Sequence, residues 1–271
     1  MVCLRYQADR STLLTLGVAG CVLAVPLVWD LDTRWSIVLF GLNVFFGLIA
    51  HVINHNISHC SLFENEKANR LTSIGVSGLI GVPASAISAS HIYNHHVHNN
   101  SDSDWLRSTV LAESQGPRRL LKYVWHVFAL PRLYQRRGAD AIPANLKLQI
   151  QQEKIFIGLA LLLAVAFAPG VTLFYYISTR LCALSCLFVL NLIQHDGLEN
   201  EEGVNRCHNY TSKLLNFVLF KNGYHSAHHL RPGAHWSELD ALHYEKVSPL
   251  ANSNLQHKSI VSFVWGNYLR P

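Results

Sequence analysis

Long apolar stretches alternate with polar segments along this chain of 271 residues. Residues 13–29 and 36–53 contain no Asp, Glu, Lys or Arg and are separated by a short polar link. Residues 155–193 form a third stretch that is long enough for two helices, because about 20 apolar residues cross a bilayer as a helix. The pattern therefore predicts two hairpins of transmembrane helices.

The third stretch has two candidate turns, at residues 169–170 and at residues 178–180. A turn near Arg180 would keep its charge away from the bilayer centre, where a charge is costly. A turn at Pro169 would leave Arg180 to snorkel or to find a partner. We expect the four spans at about residues 13–29, 36–53, 155–177 and 181–193.

Residues 71–89 are uncharged, but glycines, serines and Pro83 weaken their apolar character. Irregular backbone at membrane depth is stable only where it is buried in protein or lines a water-filled cavity. We therefore expect a re-entrant or interfacial hairpin here. The predicted fold is an all-α integral membrane protein with about four transmembrane helices and this additional hairpin.

Composition agrees with a membrane protein. Half of the residues are hydrophobic and 14% are charged, whereas soluble domains have roughly 25% charged residues. Six cysteines form no C-x-x-C pair, so we expect no disulfide framework. A cleavable signal peptide is an alternative to the first span, but no small-residue cleavage site stands out and a second span follows at once.

Residues 98–154 are polar and basic, with aromatic residues between the charges. This segment predicts a solvated cytoplasmic loop or a helix in the headgroup plane, and the two are compatible. No RNA- or DNA-binding motif accompanies the charge, so we expect no nucleic-acid partner. Residues 91–154 and 194–271 would form a cytoplasmic helical cap within one domain of residues 1–271, with cap helices near residues 211–220, 236–243 and 259–268.

Nine histidines fall into four groups whose spacing suits a metal ion. Residues four apart lie on one helical face, so a pair can reach one ion and a trio can do the same. Imidazole ligands are typical of Fe, Cu, Zn and Ni, and nine of them suit two ions better than one. Histidine-rich loops form such pairs by chance, but two trios and a pair are hard to obtain that way. The groups are His55 and His59; His91, His95 and His96; His195; and His225, His228 and His229.

The predicted topology supports a shared site. With four spans and one re-entrant hairpin, all four histidine groups and both termini lie on the same side of the membrane. Basic residues are concentrated on that side, which indicates that it is cytoplasmic. A full span at residues 71–89 would instead separate the first two groups.

The histidine motifs resemble the three boxes of membrane fatty acid desaturases and hydroxylases. H-N-I-S-H, H-I-Y-N-H-H and H-S-A-H-H look like the family forms HxxxH, HxxxHH or HxxHH, and HxxHH. The sequence N-L-I-Q-H-D-G-L is similar to the extra motif N-Y-I-E-H-Y-G-L of the alkane monooxygenase branch. H-I-Y-N-H-H-V-H-N-N-S-D-S-D also resembles that branch's second box and its acidic follow-on. The resemblance covers about residues 50–235.

The resemblance implies a non-haem diiron centre with all nine histidines as ligands. It also implies O2 as co-substrate and an aliphatic or fatty-acyl substrate held in the lipid bilayer. Two electrons would come from an external donor of the ferredoxin, rubredoxin or cytochrome b5 type. The choice of iron over zinc or copper rests on the resemblance.

Other polar residues are candidates for supporting contacts to the ligands. Asp196 stands where the alkane enzymes have tyrosine; it could orient a ligand histidine, bind a polar substrate group or be a solvated acid at a helix end. His51 forms a second HxxxH with His55, and we expect it to face the bundle interior. Six further histidines are expected to be structural, solvent-exposed or, for the first, supporting: His98, His126, His208, His235, His243 and His257. The remaining supporting candidates are Asn191, Asn222, Asp102, Asp104 and Glu199.

The expected function is O2-dependent oxidation of an unactivated C–H bond in an aliphatic or fatty-acyl chain. Desaturation is favoured because all three core boxes fit the desaturases, and hydroxylation is the alternative because of the fourth motif. A membrane zinc hydrolase is less favoured, since Asn56 occupies the position of the glutamate in H-E-x-x-H. A metal transporter is also less favoured. It would place ionisable residues within the spans, whereas here they cluster at the span ends on one side.

Overall fold

The computed structural model describes residues 3–108, 114–128, 142–199 and 201–270. These residues form an all-α fold, as predicted. Short π-helical turns interrupt several helices, and two short strands, β1 (Asn209–Tyr210) and β2 (Gln256–His257), pair in parallel. The helices are α1 (Asp9–Val28), α2 (Thr33–His59), α3 (Glu66–Ile80), α4 (Ala84–His98), α5 (Gly116–Phe128), α6 (Ala144–Phe167), α7 (Pro169–His195), α8 (Lys213–Val218), α9 (His225–Leu230), α10 (Leu239–Leu242) and α11 (Ile260–Leu269).

Four helices in the described part of the chain are long and apolar enough to cross a membrane: α1, α2, α6 and α7. The protein is therefore a multi-pass membrane protein. The helices α3 and α4 meet at an angle of 95°, which fits a broken span or a re-entrant loop.

The boundary between the last two spans differs from the expected one. Helix α6 ends at Phe167 and α7 starts at Pro169, so span limits of 155–177 and 181–193 are wrong in placing the turn next to Arg180. Proline lacks an N–H group and has a fixed φ, which suits the first position of a helix.

The chain divides into two compact units. The first comprises Met1–Ala89 and Ile142–Leu187, and the second comprises Ser90–Ala141 and Phe188–Pro271. In the first unit α1 packs on α2, and α3 packs on α2 and α6. Small and branched side chains from α2, α3 and α4 form its core, namely Ala50, Val76, Ile80 and Ala84.

The break between α3 and α4 is buried in the first unit and its backbone is satisfied by side chains. Tyr176 donates its hydroxyl proton to the carbonyl of Gly78 at 2.7 Å, and Asn54 donates from Nδ2 to the carbonyl of Ala84 at 3.1 Å. Arg180 donates to the carbonyl of Leu79. Because the freed carbonyls have partners, irregular backbone is tolerated at this place.

Arg180 is buried on α7 and has neutral partners. Its guanidinium also donates to the carbonyl of Asn43 on α2, so it joins three segments. Two glycines leave room for it. A Cβ at Gly81 would lie 2.9 Å from the Arg180 Cγ, and a Cβ at Gly47 would lie 2.9 Å from the Cβ of Ala183.

Glu153 on α6 makes a second polar contact inside the first unit. Its carboxylate accepts hydrogen bonds from the Ser73 hydroxyl at 2.6 Å and from the Ser85 hydroxyl at 2.7 Å. The backbone N–H of Ser85 adds a third at 2.9 Å. Buried carboxylates are costly unless hydrogen-bonded, so these bonds fix α3 and α4 to α6.

The second unit has its own apolar core under α9 and α10, formed by Tyr224, Ala227, Leu239, Leu242 and Val247. Helix α5 packs against the end of α11. The cap helices expected near residues 211–220, 236–243 and 259–268 overlap α8, the turn Trp236–Glu238 with α10, and α11. Of the basic segment, residues 109–113 and 129–141 lie outside the described residues.

Candidate metal centre

The structure divides seven of the nine predicted ligands, all in the second unit, into two clusters. The His195 cluster contains one residue from α4, one from α7 and two from α9. The His228 cluster contains two residues from α4 and one from α9. The members are His95, His195, His225 and His229 in the first, and His91, His96 and His228 in the second.

Each histidine trio is therefore divided between the two clusters, so the three side chains of a trio do not converge on one point. In α4 the residues His91–His95 form a π-helical turn. This turn brings His91 and His96, five residues apart, into one cluster and directs His95 to the other. In α9 the pair His225 and His229 follows the ordinary four-residue spacing, and His228 lies in the other cluster.

Within the His195 cluster the ring nitrogens converge. The Nε2 atom of His195 lies 3.2 Å from that of His95 and 3.0 Å from that of His225. One ring nitrogen from each of the four residues lies within 4.8 Å of the others. All four come from helices, so the backbone holds the set in place.

In the His228 cluster three Nε2 atoms face one another. The His96 Nε2 lies 2.9 Å from that of His91 and 3.0 Å from that of His228, and the third separation is 3.4 Å. Each ring nitrogen is either a donor or an acceptor, so three mutual contacts must include one pair of the same kind. A shared cation removes this conflict. Nitrogens about 2.1 Å from one ion are about 3.0 Å apart at a right angle and about 3.4 Å apart at the tetrahedral angle.

A buried carboxylate orients one ligand of the His195 cluster. The Asp104 Oδ2 lies 2.7 Å from the Nδ1 of His95, and it also accepts the N–H of Asn100 at 2.8 Å. Burial by itself would raise the pKa of Asp104, but His95 and the N–H groups of Asn100 and Leu106 lower it to about 2. The ionised carboxylate accepts a hydrogen bond from the Nδ1–H group of His95, so the lone pair on Nε2 of His95 points into the cluster.

His229 presents a second neutral imidazole to the same cluster. Burial and the neighbouring His225, His195 and His95 hold the pKa of His229 well below its usual range. Its Nε2 is buried and has no hydrogen-bond partner among the described residues. A buried nitrogen of this kind fits a metal ligand, since neutral imidazole is the binding form.

The remaining predicted ligands, His55 and His59, lie in the first unit on the last turns of α2. Their ring centroids are 5.5 Å apart, as expected for residues four apart on one face. The Oδ1 atom of Asn56 lies 3.1 Å from the Nδ1 of His55. An amide oxygen only accepts hydrogen bonds, so this contact favours the tautomer of His55 that carries its proton on Nδ1.

Asp196 directly follows His195 and is not a solvated acid. Among the described residues, its carboxylate contacts Arg119 and Tyr268 and not the ring of His195. Its carboxylate accepts from the Nε of Arg119 at 2.9 Å and forms an ion pair with that guanidinium. The Tyr268 hydroxyl donates to the same carboxylate. Burial lowers the pKa of the Arg119 guanidinium, but the hydrogen bond to Asp196 and its charge outweigh burial and raise this pKa above its usual value.

The asparagine candidates have different partners. Asn191 donates to the Tyr123 hydroxyl at 2.7 Å. Asn222 accepts from the Gln194 Nε2 at 3.0 Å, and Gln194 is the residue before His195.

The acidic candidates also differ. Glu199 accepts from the Ser108 hydroxyl at 3.2 Å. Asp102 is fully exposed and pairs with Arg107, whereas Asp104 is buried.

Two residues near the ligands were not predicted from the sequence. Asn100 adopts a positive φ of 63°, as asparagine readily does, and donates from Nδ2 to the carbonyl of His195 at 3.1 Å. The Cys207 sulfur lies 3.8 Å from the Nδ1 of His195. A run such as N-N-S-D is typical of a turn and could have indicated the role of Asn100, whereas no sequence signal marks Cys207.

The histidines that were not assigned as ligands join neither cluster. His51, His235 and His243 are buried, and His208 contacts His257 through ring nitrogens 3.0 Å apart. His51 faces the interior, as expected. Burial lowers the pKa of His243 to about 4, so it is a neutral structural residue.

Comparison with known proteins agrees with this geometry. Residues 33–259 match the family model described as Fatty acid desaturase. Because the match covers most of the sequence, this chain belongs to the fatty acid desaturase family. Comparison with curated protein sequences gives no match.

Family membership makes the protein an oxidoreductase of the desaturase/hydroxylase type that acts on fatty-acyl chains in a membrane. The two histidine clusters could hold metal ions, and the family uses diiron centres. The resemblance to the alkane monooxygenase branch stays a prediction.

Proposed function

We propose that this protein is an O2-dependent non-haem diiron desaturase that removes two hydrogens from neighbouring carbons of an aliphatic or fatty-acyl chain. The observation that carries the proposal is the convergence of seven imidazoles into two clusters in a chain of the fatty acid desaturase family. Two clusters suit two ions, and imidazole is a ligand that iron accepts.

The proposed ligands are the nine histidines of the four groups. His95, His195, His225 and His229 would hold one ion. His91, His96 and His228 would hold the other. His55 and His59 complete the set, because their spacing and their H-N-I-S-H motif correspond to the first box of the family.

The ions would supply the oxidising power that no side chain has, which is removal of hydrogen from an unactivated C–H bond with O2. The side chains of the protein would hold the ions and orient the imidazoles that bind them. Asp104 keeps His95 in one tautomer, and burial keeps His229 neutral. In balance, the chain loses two hydrogens, an external donor gives two electrons, two protons enter, and O2 leaves as two waters. The donor would be a ferredoxin, rubredoxin or cytochrome b5 type protein.

Hydroxylation of the same kind of substrate is the second candidate. It is favoured by the N-L-I-Q-H-D-G-L motif, which resembles the extra motif of the alkane monooxygenase branch. His195 of this motif lies in a histidine cluster together with residues from two of the boxes. The two reactions differ in the fate of the chain after the first hydrogen is removed.

We also propose that the histidine clusters and both termini are cytoplasmic. Support comes from the predicted topology, in which the basic residues concentrate on the side of the histidine groups and the links on the opposite side are short. The positive-inside rule assigns the side that is rich in Lys and Arg to the cytoplasm. Reporter fusions at each terminus test this, and termini on opposite sides would contradict it.

The decisive experiment combines metal analysis with product analysis. We expect the purified protein to contain iron in excess of zinc, and lipids of expressing cells to show a loss of two hydrogens under air but not without O2. His95→Ala should abolish the product and lower bound iron. His126→Ala, outside both clusters, should leave the iron content unchanged. A gain of one oxygen would identify a hydroxylase, and a zinc protein without O2-dependent product would overturn the proposal.

A further inference from the structure

Helix α5 carries an exposed apolar stripe. Leu121 is 72% exposed and Trp125 is 80% exposed, and Phe128 continues the same face one turn later. The opposite face is buried through Tyr123 and Val127. The helix is therefore fixed to the protein by one apolar face and presents a second one outward.

Helix α11 has the same property. Val261 is 74% exposed and Trp265, four residues later, is 61% exposed, whereas Tyr268 is buried. Its last turn packs against α5, and a Cβ at Gly116 would lie 3.5 Å from the Tyr268 carbonyl oxygen. These two neighbouring helices together are called the platform below.

The charges on the platform have one sign. Four exposed basic residues lie on or beside the two helices, and residues 114–128 and 258–270 contain no Asp or Glu. Tryptophan together with lysine and arginine is typical of helices at the headgroup level of a bilayer. The basic residues are Arg118, Lys122, Lys258 and Arg270.

The platform packs against the end of a transmembrane helix. Phe128 packs against Phe188 of α7 with ring centroids 5.6 Å apart, and Tyr123 bonds Asn191 of α7 at 2.7 Å. Phe188 lies seven residues before the end of the spanning helix, about 10 Å along its axis. This contact places α5 beside the last turns of a span, where the headgroup layer begins.

We propose that the platform lies in the headgroup layer, with Leu121, Trp125, Val261 and Trp265 among the lipids and the four basic residues on anionic phospholipid headgroups. The occupant is the bilayer itself, because an acid-free basic rim around tryptophans matches anionic lipid and because α5 packs against the end of a span. Asp196, bonded to Arg119 of α5 and Tyr268 of α11, joins the platform to the residue after His195. The proposal does not depend on which reaction the metal centre performs.

Tryptophan emission of the full-length protein in lipid nanodiscs tests the proposal. Trp125→Phe and Trp265→Phe are each compared with the wild type, so that the difference spectrum is the emission of one tryptophan. Lipids brominated near the headgroup end of the acyl chain should quench most of each difference emission, and aqueous acrylamide should quench little. Trp236→Phe gives the reference difference spectrum. Trp236 lies outside the platform and packs against Phe220, with ring centroids 5.0 Å apart.

The anionic preference has its own comparison. At equal mole fraction, brominated phosphatidylglycerol should quench Trp125 more than brominated phosphatidylcholine. Arg118→Gln with Lys122→Gln should remove this excess, and Arg231→Gln with Lys246→Gln, two exposed basic residues outside the platform, should retain it. Quenching by acrylamide alone at both tryptophans would overturn the platform, and equal quenching by the two lipids in the wild type would overturn its preference for anionic headgroups.

Discussion

The Oδ2 atom of Asp104 lies 2.7 Å from the Nδ1 of His95, and both side chains are shielded from solvent. Asp104 also accepts the backbone N–H groups of Asn100 and Leu106. Three donors thus converge on one carboxylate next to a proposed metal ligand. Contacts of this kind set the tautomer and orientation of a ligand imidazole.

Replacing Asp104 with asparagine should weaken metal retention by about 10–100-fold. An amide cannot accept from all three donors, because its NH2 group would point at one of them. Metal content after dialysis against graded chelator measures the effect. Asp102→Asn is the matched control, since Asp102 is exposed two residues away. Equal metal loss in both variants would argue against the orienting role of Asp104.

Replacing Arg180 with methionine should destabilise the first unit. The carbonyls of Leu79 and Asn43 would lose their donor, and a buried polar group without a partner costs about 1–3 kcal/mol. Removal of the buried charge offsets part of this cost. Thermal denaturation in detergent should therefore show a lower midpoint for Arg180→Met and an unchanged one for Arg34→Met, which alters an exposed residue. An unchanged midpoint for both would show that the two carbonyls do not need Arg180.

Two glycine substitutions should have different effects on stability. Gly81 has a φ of 76° and its Cβ would approach the Arg180 Cγ to 2.9 Å, so Gly81→Ala should lower the denaturation midpoint. Gly158 lies in α6 with open space around its Cβ position, so Gly158→Ala should be neutral or stabilising by up to about 1 kcal/mol. Reversal of this order would rule out the observed packing at the α3–α4 break.

The Arg119–Asp196 pair should behave as one unit. Both side chains are largely buried, at 14% and 15% exposure, so Arg119→Met or Asp196→Asn leaves a partner unsatisfied. In a double-mutant cycle we expect the two losses of stability to be non-additive by about 0.5–3 kcal/mol. Simple additivity would mean that the pair contributes no interaction of its own.

Metal removal should lower stability through the histidine clusters. An ion that binds only the folded chain stabilises it by mass action, so chelator should reduce the denaturation midpoint of the wild type. His229→Ala should show a smaller chelator effect. His243→Ala, which removes a buried imidazole outside the clusters, should keep the full effect. If the chelator lowers the denaturation midpoint equally in all three proteins, His229 does not contribute to binding of the stabilising ion.

The sequence predicted the helical membrane fold because apolar runs of span length have few alternatives. The position of the last turn was not predictable in the same way. Arg180 argued for a turn beside itself, since a lone charge in lipid is costly, but its guanidinium donates to the carbonyl of Leu79 at the α3–α4 break and to the carbonyl of Asn43 on α2. Partners of this kind come from segments distant in sequence, so the local pattern does not reveal them.

The ligand spacing predicted metal binding but not the division of the ligands. A regular helix would direct His91 and His95 to one side, and the π-helical turn moves His91 toward His96 instead. Likewise, Asp102 and Asp104 look equivalent in the sequence, and only the turn through Asn100 buries the second of them.

Neighbouring residues in the histidine trios belong to different clusters: His95 and His96 on α4, and His228 and His229 on α9. Single peptide bonds therefore tether the two histidine clusters to each other at two points. A movement of either helix must displace both clusters together, so covalent geometry would limit the separation of ions bound there, and filling one cluster would pre-arrange the other.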